Sequence, residues 1–154
     1  MYSKGQVSTE YLVILAVVLV VALVVVYLVG GFASLGTASL STQSMNYWGG
    51  ASPMAITAVK VSGTNVTLQM VNDGLQPVTI TEIDMINATI GIAGAPLTFN
   101  SGASSVVTGN VPAGSACGSA GTPFSYGNVT IIYTQGTITA IKESGLKPLV
   151  GTCS

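Results

Sequence analysis

The longest hydrophobic segment of the chain lies near its N-terminus. Residues Tyr11–Val29 contain no charged side chain, and valine and leucine make up most of the segment. At about 1.5 Å per residue this segment makes about 28 Å of helix, close to the ~30 Å hydrocarbon core of a bilayer. Valine mildly disfavours helix in water, but lipid forces the backbone to bond internally, and a buried strand is not this long. The pattern therefore predicts one membrane-spanning helix.

A segment rich in glycine and serine follows, from Gly30 to Pro53. Its glycines lower helix propensity. Apolar residues such as Leu35 and Leu40 nevertheless continue a weak hydrophobic face. We expect the helix to extend to about Asn46 and to end at the glycines and the proline that follow.

The rest of the chain, Met54–Ser154, alternates between apolar and polar residues over short stretches. Such alternation between turn residues is typical of β-strands and hairpins. Strands are predicted at 55–63, 64–72, 77–85, 128–134 and 137–142. The intervening stretch, 88–123, is rich in Gly, Ser and Ala, and its strands have no readable register. The predicted class is α+β, with a long N-terminal hydrophobic helix followed by a small antiparallel β-sandwich of the Ig-like kind.

The amino-acid composition argues against several classes of function for this chain. Only 6% of the residues are charged, against about 25% in an ordinary soluble domain. The net charge is −1 and the chain has no Arg, so a nucleic-acid partner has little electrostatic support. It also has no His, the commonest general base and metal ligand. The remaining charges form no triad or carboxylate cluster in the sequence, so we expect no enzyme, no metal and no cofactor.

A short polar segment precedes the hydrophobic run, with the sequence Lys4-Gly5-Gln6-Val7-Ser8-Thr9-Glu10-Tyr11-Leu12. Here the chain resembles archaeal prepilins with a class III signal of the form Q-x-S-x-E-Y-L. Every specified position is matched, by Gln6, Ser8, Glu10, Tyr11 and Leu12. In that family a membrane-embedded prepilin peptidase cleaves before the glutamine. The resemblance implies cleavage between Gly5 and Gln6, and removal of residues 1–5 as a leader.

The resemblance also implies how the mature chain is used. Residues 6–48 would serve as transmembrane and assembly segment with its linker, and residues 54–154 as an extracellular head domain. Copies of the chain would polymerise through their helices into an archaeal type IV-like pilus. The implied partners are the chain itself, prepilin peptidase, the pilus assembly machinery, the membrane before assembly, and receptors on cells or surfaces to which the filament adheres.

Glu10 has two interpretations, because it is the only charge that adjoins the apolar run. The resemblance implies that Glu10, with Tyr11 and Leu12, sets the register of assembly by pairing with the new N-terminal amine of a neighbouring subunit. In the alternative, a glutamate in the first turn complements the helix dipole and contributes ~0.3–1 kcal/mol. The residue type alone favours the dipole interpretation, whereas the place of Glu10 inside the full signature favours assembly, and one carboxylate can serve both roles.

Three rival interpretations explain parts of the sequence. A single-pass membrane anchor carrying a surface-binding β domain accounts for the apolar run equally well. A minor pilin or an archaellin-like component accounts for the signature. A secretory signal peptide fits less well, because its apolar core normally has ~7–15 residues and ends at a small-residue cleavage site.

Three N-x-T triplets begin at Asn65, Asn87 and Asn128. In an exported domain with few surface charges they are candidate acceptors for N-linked glycans, the only non-protein groups expected here. Such triplets also arise by chance in a Thr-rich sequence. Asn65 is the best placed of the three, because it lies in a predicted hairpin turn.

The chain has two cysteines, Cys117 and Cys153. Their wide separation excludes a CxxC redox or zinc motif. Outside the cell a disulfide between them would persist and would tie the C-terminal tail to the Gly-rich middle. The alternative is a pair of buried free thiols.

Overall fold

The computed structural model describes the backbone of residues 6–86 and 88–154, and their side chains except at 6–8, 29–35 and 37. One long helix, α1 (Gln6–Gly49), precedes a β domain. The predicted α+β class is confirmed, and α1 ends three residues beyond the expected end at Asn46. The leader residues Met1–Gly5 and the triplet residue Asn87 lie outside the described residues.

The described residues after α1 contain ten strands and one short 3-10 turn at Ala113–Ser115. The strands are β1 (Met54–Ser62), β2 (Asn65–Asn72), β3 (Val78–Met85), β4 (Ala88–Ile92), β5 (Leu97–Phe99), β6 (Ser104–Asn110), β7 (Pro123–Tyr126), β8 (Thr130–Gln135), β9 (Ile138–Ser144) and β10 (Leu149–Thr152). All five strands predicted from alternation are present. β1 pairs with β2, and β8 with β9, so both predicted hairpins form.

Within the described residues, eight strands form one antiparallel sheet in the order β1-β2-β6-β4-β3-β8-β9, and β5 pairs with β3. β4 joins the two halves of this sheet. Ile90 in its first part pairs with Ile83 of β3, whereas Ile92 at its end pairs with Gly109 of β6. The main part of the β domain is therefore one continuous curled sheet, and β10 and β7 form a separate two-stranded sheet.

A glycine makes the join at β4 sterically feasible. A Cβ added to Gly109 would overlap the side chain of Ile90 and approach the carbonyl oxygen of Gly91. The missing side chain lets β6 pass close against β4, as glycines in strands often do. This contact could not be read from a Gly-rich stretch that lacks alternation.

The core lies inside the curled sheet and draws on both halves. β2 shows the cause, because its residues alternate between buried and more exposed positions along the strand. Successive strand residues point to opposite faces, so the alternating apolar residues of β2 collect on one face. The fully buried side chains include Ile56 and Met70 from one half, and Ile80 and Ile131 from the other. These residues belong to one continuous hydrophobic cluster.

The chain divides into two compact units, and the boundary lies between Thr37 and Ala38, inside α1. The last turns of the helix therefore belong with the β domain. The residues expected to stop the helix, Gly49, Gly50 and Pro53, all lie within this second unit. Two of the helix residues in it, Ser44 and Trp48, are buried.

Candidate assembly helix and head domain

The N-terminal part of α1 is apolar on every side. The stretch Thr9–Leu28 is long and apolar enough to cross a membrane, with a mean hydropathy of 3.2, and none of it is buried within the chain. Large side chains from Tyr11 to Leu28 remain about half exposed or more. A helix that is hydrophobic all round needs lipid or other protein segments around it. We therefore expect lipid or segments of other protein chains to cover this surface.

Glu10 lies on α1 at the edge of this surface. Its neighbours Tyr11 and Leu12 are 66% and 58% exposed, so the three predicted assembly residues are accessible together. α1 has no acidic residue in its first turn. The helix dipole acts mainly within that turn, so the dipole alternative for Glu10 is weakened. Of the two processing residues, Gly5 is not described, and Gln6 is described only as the first residue of α1.

The C-terminal end of α1 is fastened to the β domain by a serine. Ser44 is 3% exposed. Its hydroxyl donates to the carbonyl oxygen of Pro148 at 2.9 Å and accepts from the backbone N–H of Val150 at 3.0 Å. The Ser44 hydroxyl thus satisfies the carbonyl of Pro148, just before β10, and the N–H of Val150 within β10. Sequence reasoning missed this residue, because its partners lie about a hundred positions away.

Two aromatic residues complete the attachment. Trp48 is fully buried and belongs to the core cluster. Gly145 lies directly against it, since a Cβ at Gly145 would overlap the indole ring. The hydroxyl of Tyr47 accepts the backbone N–H of Leu146 at 2.9 Å. The end of α1 is therefore an integral part of the head domain.

A half-buried carboxylate lies where β1 begins. Glu143 of β9 accepts the backbone N–H of Met54 at 3.1 Å, which links the two outer strands of the sheet. Burial raises the pKa of Glu143, and the Met54 hydrogen bond only partly opposes this by lowering it. Burial and the nearby Glu143 carboxylate both raise the pKa of Tyr133. The charged form of Glu143 is thus disfavoured at this joint.

The structure joins Cys117 to Cys153 in a disulfide, as the sequence predicts. The alternative of free thiols is excluded. Both cysteines are buried, and β10, which ends beside Cys153, pairs with β7. The last residue, Ser154, donates its backbone N–H to Val61 at 2.9 Å. The C-terminus is therefore fixed to the body of the head domain.

The two described glycosylation candidates differ in their surroundings. Asn65 is exposed at the start of β2, and with Thr67 it lines an open groove of about 450 Å³. Asn128 is also exposed, but it has a positive φ of 53° and a contact of its own. The hydroxyl of Thr130, the third residue of that triplet, shares a hydrogen bond with Ser144. Of these two asparagines, Asn65 is therefore the more accessible site for attachment of a glycan.

Two acidic residues that the sequence leaves unconnected are brought together on β3. Glu82 and Asp84 both contact the hydroxyl of Thr89, at 2.6 and 2.8 Å. The described residues contain no group of three or more potential metal ligands of the His, Cys, Asp or Glu type. The pair therefore forms a local polar contact between β3 and β4.

The family match found by comparison with known proteins lies near the N-terminus of the chain. No curated protein matches the sequence. Residues 3–29 match the family model of the Class III signal peptide. The match spans the polar signature and the apolar run together, and it confirms the resemblance on which the prediction of processing rests. The chain thus carries a class III signal, consistent with a type IV pilin-like prepilin.

Proposed function

We propose that this chain is a structural subunit of an archaeal type IV-like pilus, an extracellular filament that serves in adhesion. The observation that carries the proposal is a class III signal, matched over residues 3–29, whose apolar part forms a helix with its surface exposed on all sides. A signal of this class is typical of subunits that are trimmed and assembled. The exposed helix supplies the surface through which copies would associate.

The proposed sequence of events follows from the placement of the signal. The precursor inserts with its β domain outside the cell, and prepilin peptidase cuts between Gly5 and Gln6. Cleavage precedes the apolar run, so the helix survives into the mature chain. In the filament, neighbouring helices replace lipid around the stretch Thr9–Leu28. Glu10 then pairs with the N-terminal amine of a neighbouring subunit, which offsets the cost of placing a carboxylate in an apolar core.

The head domain forms the outside of this filament. It acts by binding rather than by catalysis, and N-linked glycans on Asn65, and on Asn87 or Asn128, would cover an exterior with few charges. The accessible position of Asn65 beside an open groove supports it as the first acceptor. Receptors on cells or surfaces would contact this outer side.

N-terminal sequencing of sheared surface filaments tests identity, processing and assembly together. We expect filaments in which this chain is the main component and begins at Gln6. Filaments that contain the chain starting at Met1 would contradict the processing step. If the chain is processed but found only in trace amounts, it is a minor pilin-like or archaellin-like component. If it stays in the membrane and no filament contains it, it is an anchored surface module.

Replacing Glu10 tests the role of this carboxylate in assembly. Glu10→Val should leave the protein in the membrane and abolish filaments, whereas Thr9→Val, a neighbouring change without loss of charge, should leave filaments present. Normal filaments from the Glu10→Val chain would remove the assembly role of Glu10. The measurement is the amount of subunit in sheared and in membrane fractions.

A further inference from the structure

Two leucines of the head domain are almost entirely exposed. Leu75 is 95% exposed and Leu146 is 92% exposed, whereas the next most exposed large hydrophobic residue of the β domain, Ile138, is 64% exposed. Single exposed apolar residues are common on protein surfaces. These two differ because each lies in a fixed loop near the end of α1 and each has an exposed charged residue close to it in sequence.

Both leucines lie in loops tied to the segment that joins α1 to β1. The backbone N–H of Leu146 donates to the Tyr47 hydroxyl at 2.9 Å. Near Leu75, the backbone N–H of Asp73 donates to the carbonyl oxygen of Pro53 at 2.8 Å. The two loops are therefore held beside the point where the helix enters the head domain. Such fixed loops lose little conformational entropy when a partner covers them.

A charged residue lies close to each leucine in sequence, and the two charges have opposite signs. Asp73 is exposed two residues before Leu75, and Lys147 is exposed directly after Leu146. Residues 54–154 contain only seven charged side chains, so a charge beside each exposed leucine is unusual. Within the described residues, neither charged side chain is engaged in an ion pair. The first loop is thus apolar and acidic, and the second is apolar and basic.

Resting on the proposed function, we propose that these loops form a contact between copies of the chain, in which Leu75 and Asp73 of one head domain face Leu146 and Lys147 of the next. Complementary charge selects this pairing, because a loop facing its own equivalent would bring like charges together. The two sides of the contact are different surfaces. A contact of this heterologous kind joins copies head to tail, and it generates a filament where the rotation from copy to copy does not close into a ring, as the proposed pilus requires.

A lipid surface is the other partner that accepts exposed leucines. Anionic head groups attract Lys147 but repel Asp73, so lipid matches only one of the two loops. A second copy matches both. The charge pattern therefore favours a protein contact over a membrane contact.

Charge reversal in the full chain tests the contact, in a host that carries the assembly machinery. Asp73→Lys alone and Lys147→Asp alone should each lower the guanidinium concentration that dissociates purified filaments. The double variant should restore it towards the wild-type value, because the paired charges are only exchanged. Lys60→Asp, a reversal of an exposed lysine on β1, should change the midpoint little. Equal effects from Lys60→Asp, or no recovery in the double variant, would overturn the proposal.

The leucines are tested by substitution with serine. Leu75→Ser and Leu146→Ser should each lower the dissociation midpoint, and Ile138→Ser, at an exposed apolar position on β9, should not. The fluorescence of the buried Trp48 in the detergent-solubilised subunit should match wild type in every variant, which separates loss of contact from unfolding. Stable filaments from both leucine variants would contradict the proposal. So would variants that bind the membrane less strongly before assembly but form filaments of normal stability, because that result would indicate a contact with lipid. Failure of the wild-type chain to form filaments would instead reject the proposed function.

Discussion

The attachment of α1 to the head domain depends on a glycine at position 145. Its backbone lies against the indole of Trp48, and a Cβ there would overlap the ring. We expect Gly145→Ala to lower the free energy of unfolding of the head domain by about 1–3 kcal/mol, the usual cost of forcing extra volume into a packed core. Trp48 is the only tryptophan, so its fluorescence during guanidinium denaturation reports this change directly.

A matched glycine separates this packing effect from a general effect of alanine. Gly114 has no atom within 4 Å of the position where a Cβ would be added. Gly114→Ala should therefore change the stability by no more than about 0.5 kcal/mol, as is usual for surface substitutions. Similar losses in the two variants would mean that the contact with Trp48 is not tight.

Glu143 gives the head domain a dependence on pH. Burial raises the pKa of its carboxyl in the folded chain, so the folded state binds this proton more tightly than the unfolded state does. The stability that protonation contributes is fully present below the ordinary pKa of a glutamate. It is lost as the pH rises through the higher pKa of the folded state. Over that window the wild-type head domain should become less stable.

The variant Glu143→Gln removes this titration and keeps an oxygen that can accept the Met54 N–H. Thermal denaturation midpoints of wild type and variant, measured from about pH 4 to about pH 8, should diverge as the pH rises. We expect the glutamine variant to be the more stable protein at the upper end. Parallel curves for the two proteins would show that Glu143 does not cause the change of stability with pH.

At the scale of elements, alternation decided which strands could be predicted. β1, β2, β3, β8 and β9 were all predicted from alternation in the sequence, and β2 and β3 show it most clearly in their burial. β4 to β6 lie in a stretch of Gly, Ser and Ala, where small side chains bury little area and leave no period of two, and β7 alternates over only four residues. Their positions are fixed by pairing with distant strands, such as β6 with β2. Such pairings depend on the assembled sheet and are not encoded locally.

β10 is the element whose position depends most on a covalent bond. It pairs only with β7 among the described strands, and it ends beside Cys153, whose disulfide spans 36 positions. A loop of that length predicts a stabilisation of about 4 kcal/mol from restricting the unfolded chain. Reduction, or serine at both cysteines, should lower the unfolding free energy of the head domain by about this amount.

Hydrogen exchange locates the effect of losing the disulfide. Amides of β7 and β10 should exchange faster in the reduced protein, and those that pair β3 with β8 should keep their protection, because they lie in the large sheet. Uniform loss of protection would mean that the bridge stabilises the whole domain rather than only the two-stranded sheet of β7 and β10. Unchanged protection in β10 would mean that pairing alone is sufficient.

For the molecule as a whole, the sequence reveals its N-terminal signal and the approximate end of the helix, but not how that end packs against the β domain. The signature from Gln6 to Leu12 is local, so residue identity and order are enough to identify it, and the family match agrees. The burial of Trp48 and Ser44 could not be predicted, because it arises from contacts with residues 145–150. The exposed loops at Leu75 and Leu146 likewise become a surface only once the strands are assembled.

The second compact unit, which begins at Ala38, predicts where the chain can be cut. Residues 38–154 should fold alone and stay monomeric, since the apolar stretch Thr9–Leu28 is removed and Trp48 is retained. Residues 51–154 should be less stable by at least about 3–5 kcal/mol, the typical cost of deleting a buried tryptophan side chain. Guanidinium denaturation followed by circular dichroism compares the two, because the shorter chain has no tryptophan. Residues 38–154 with Trp48→Ala serve as the control and should lose a similar amount, and equal stability of all three chains would show that the end of α1 is only a tether.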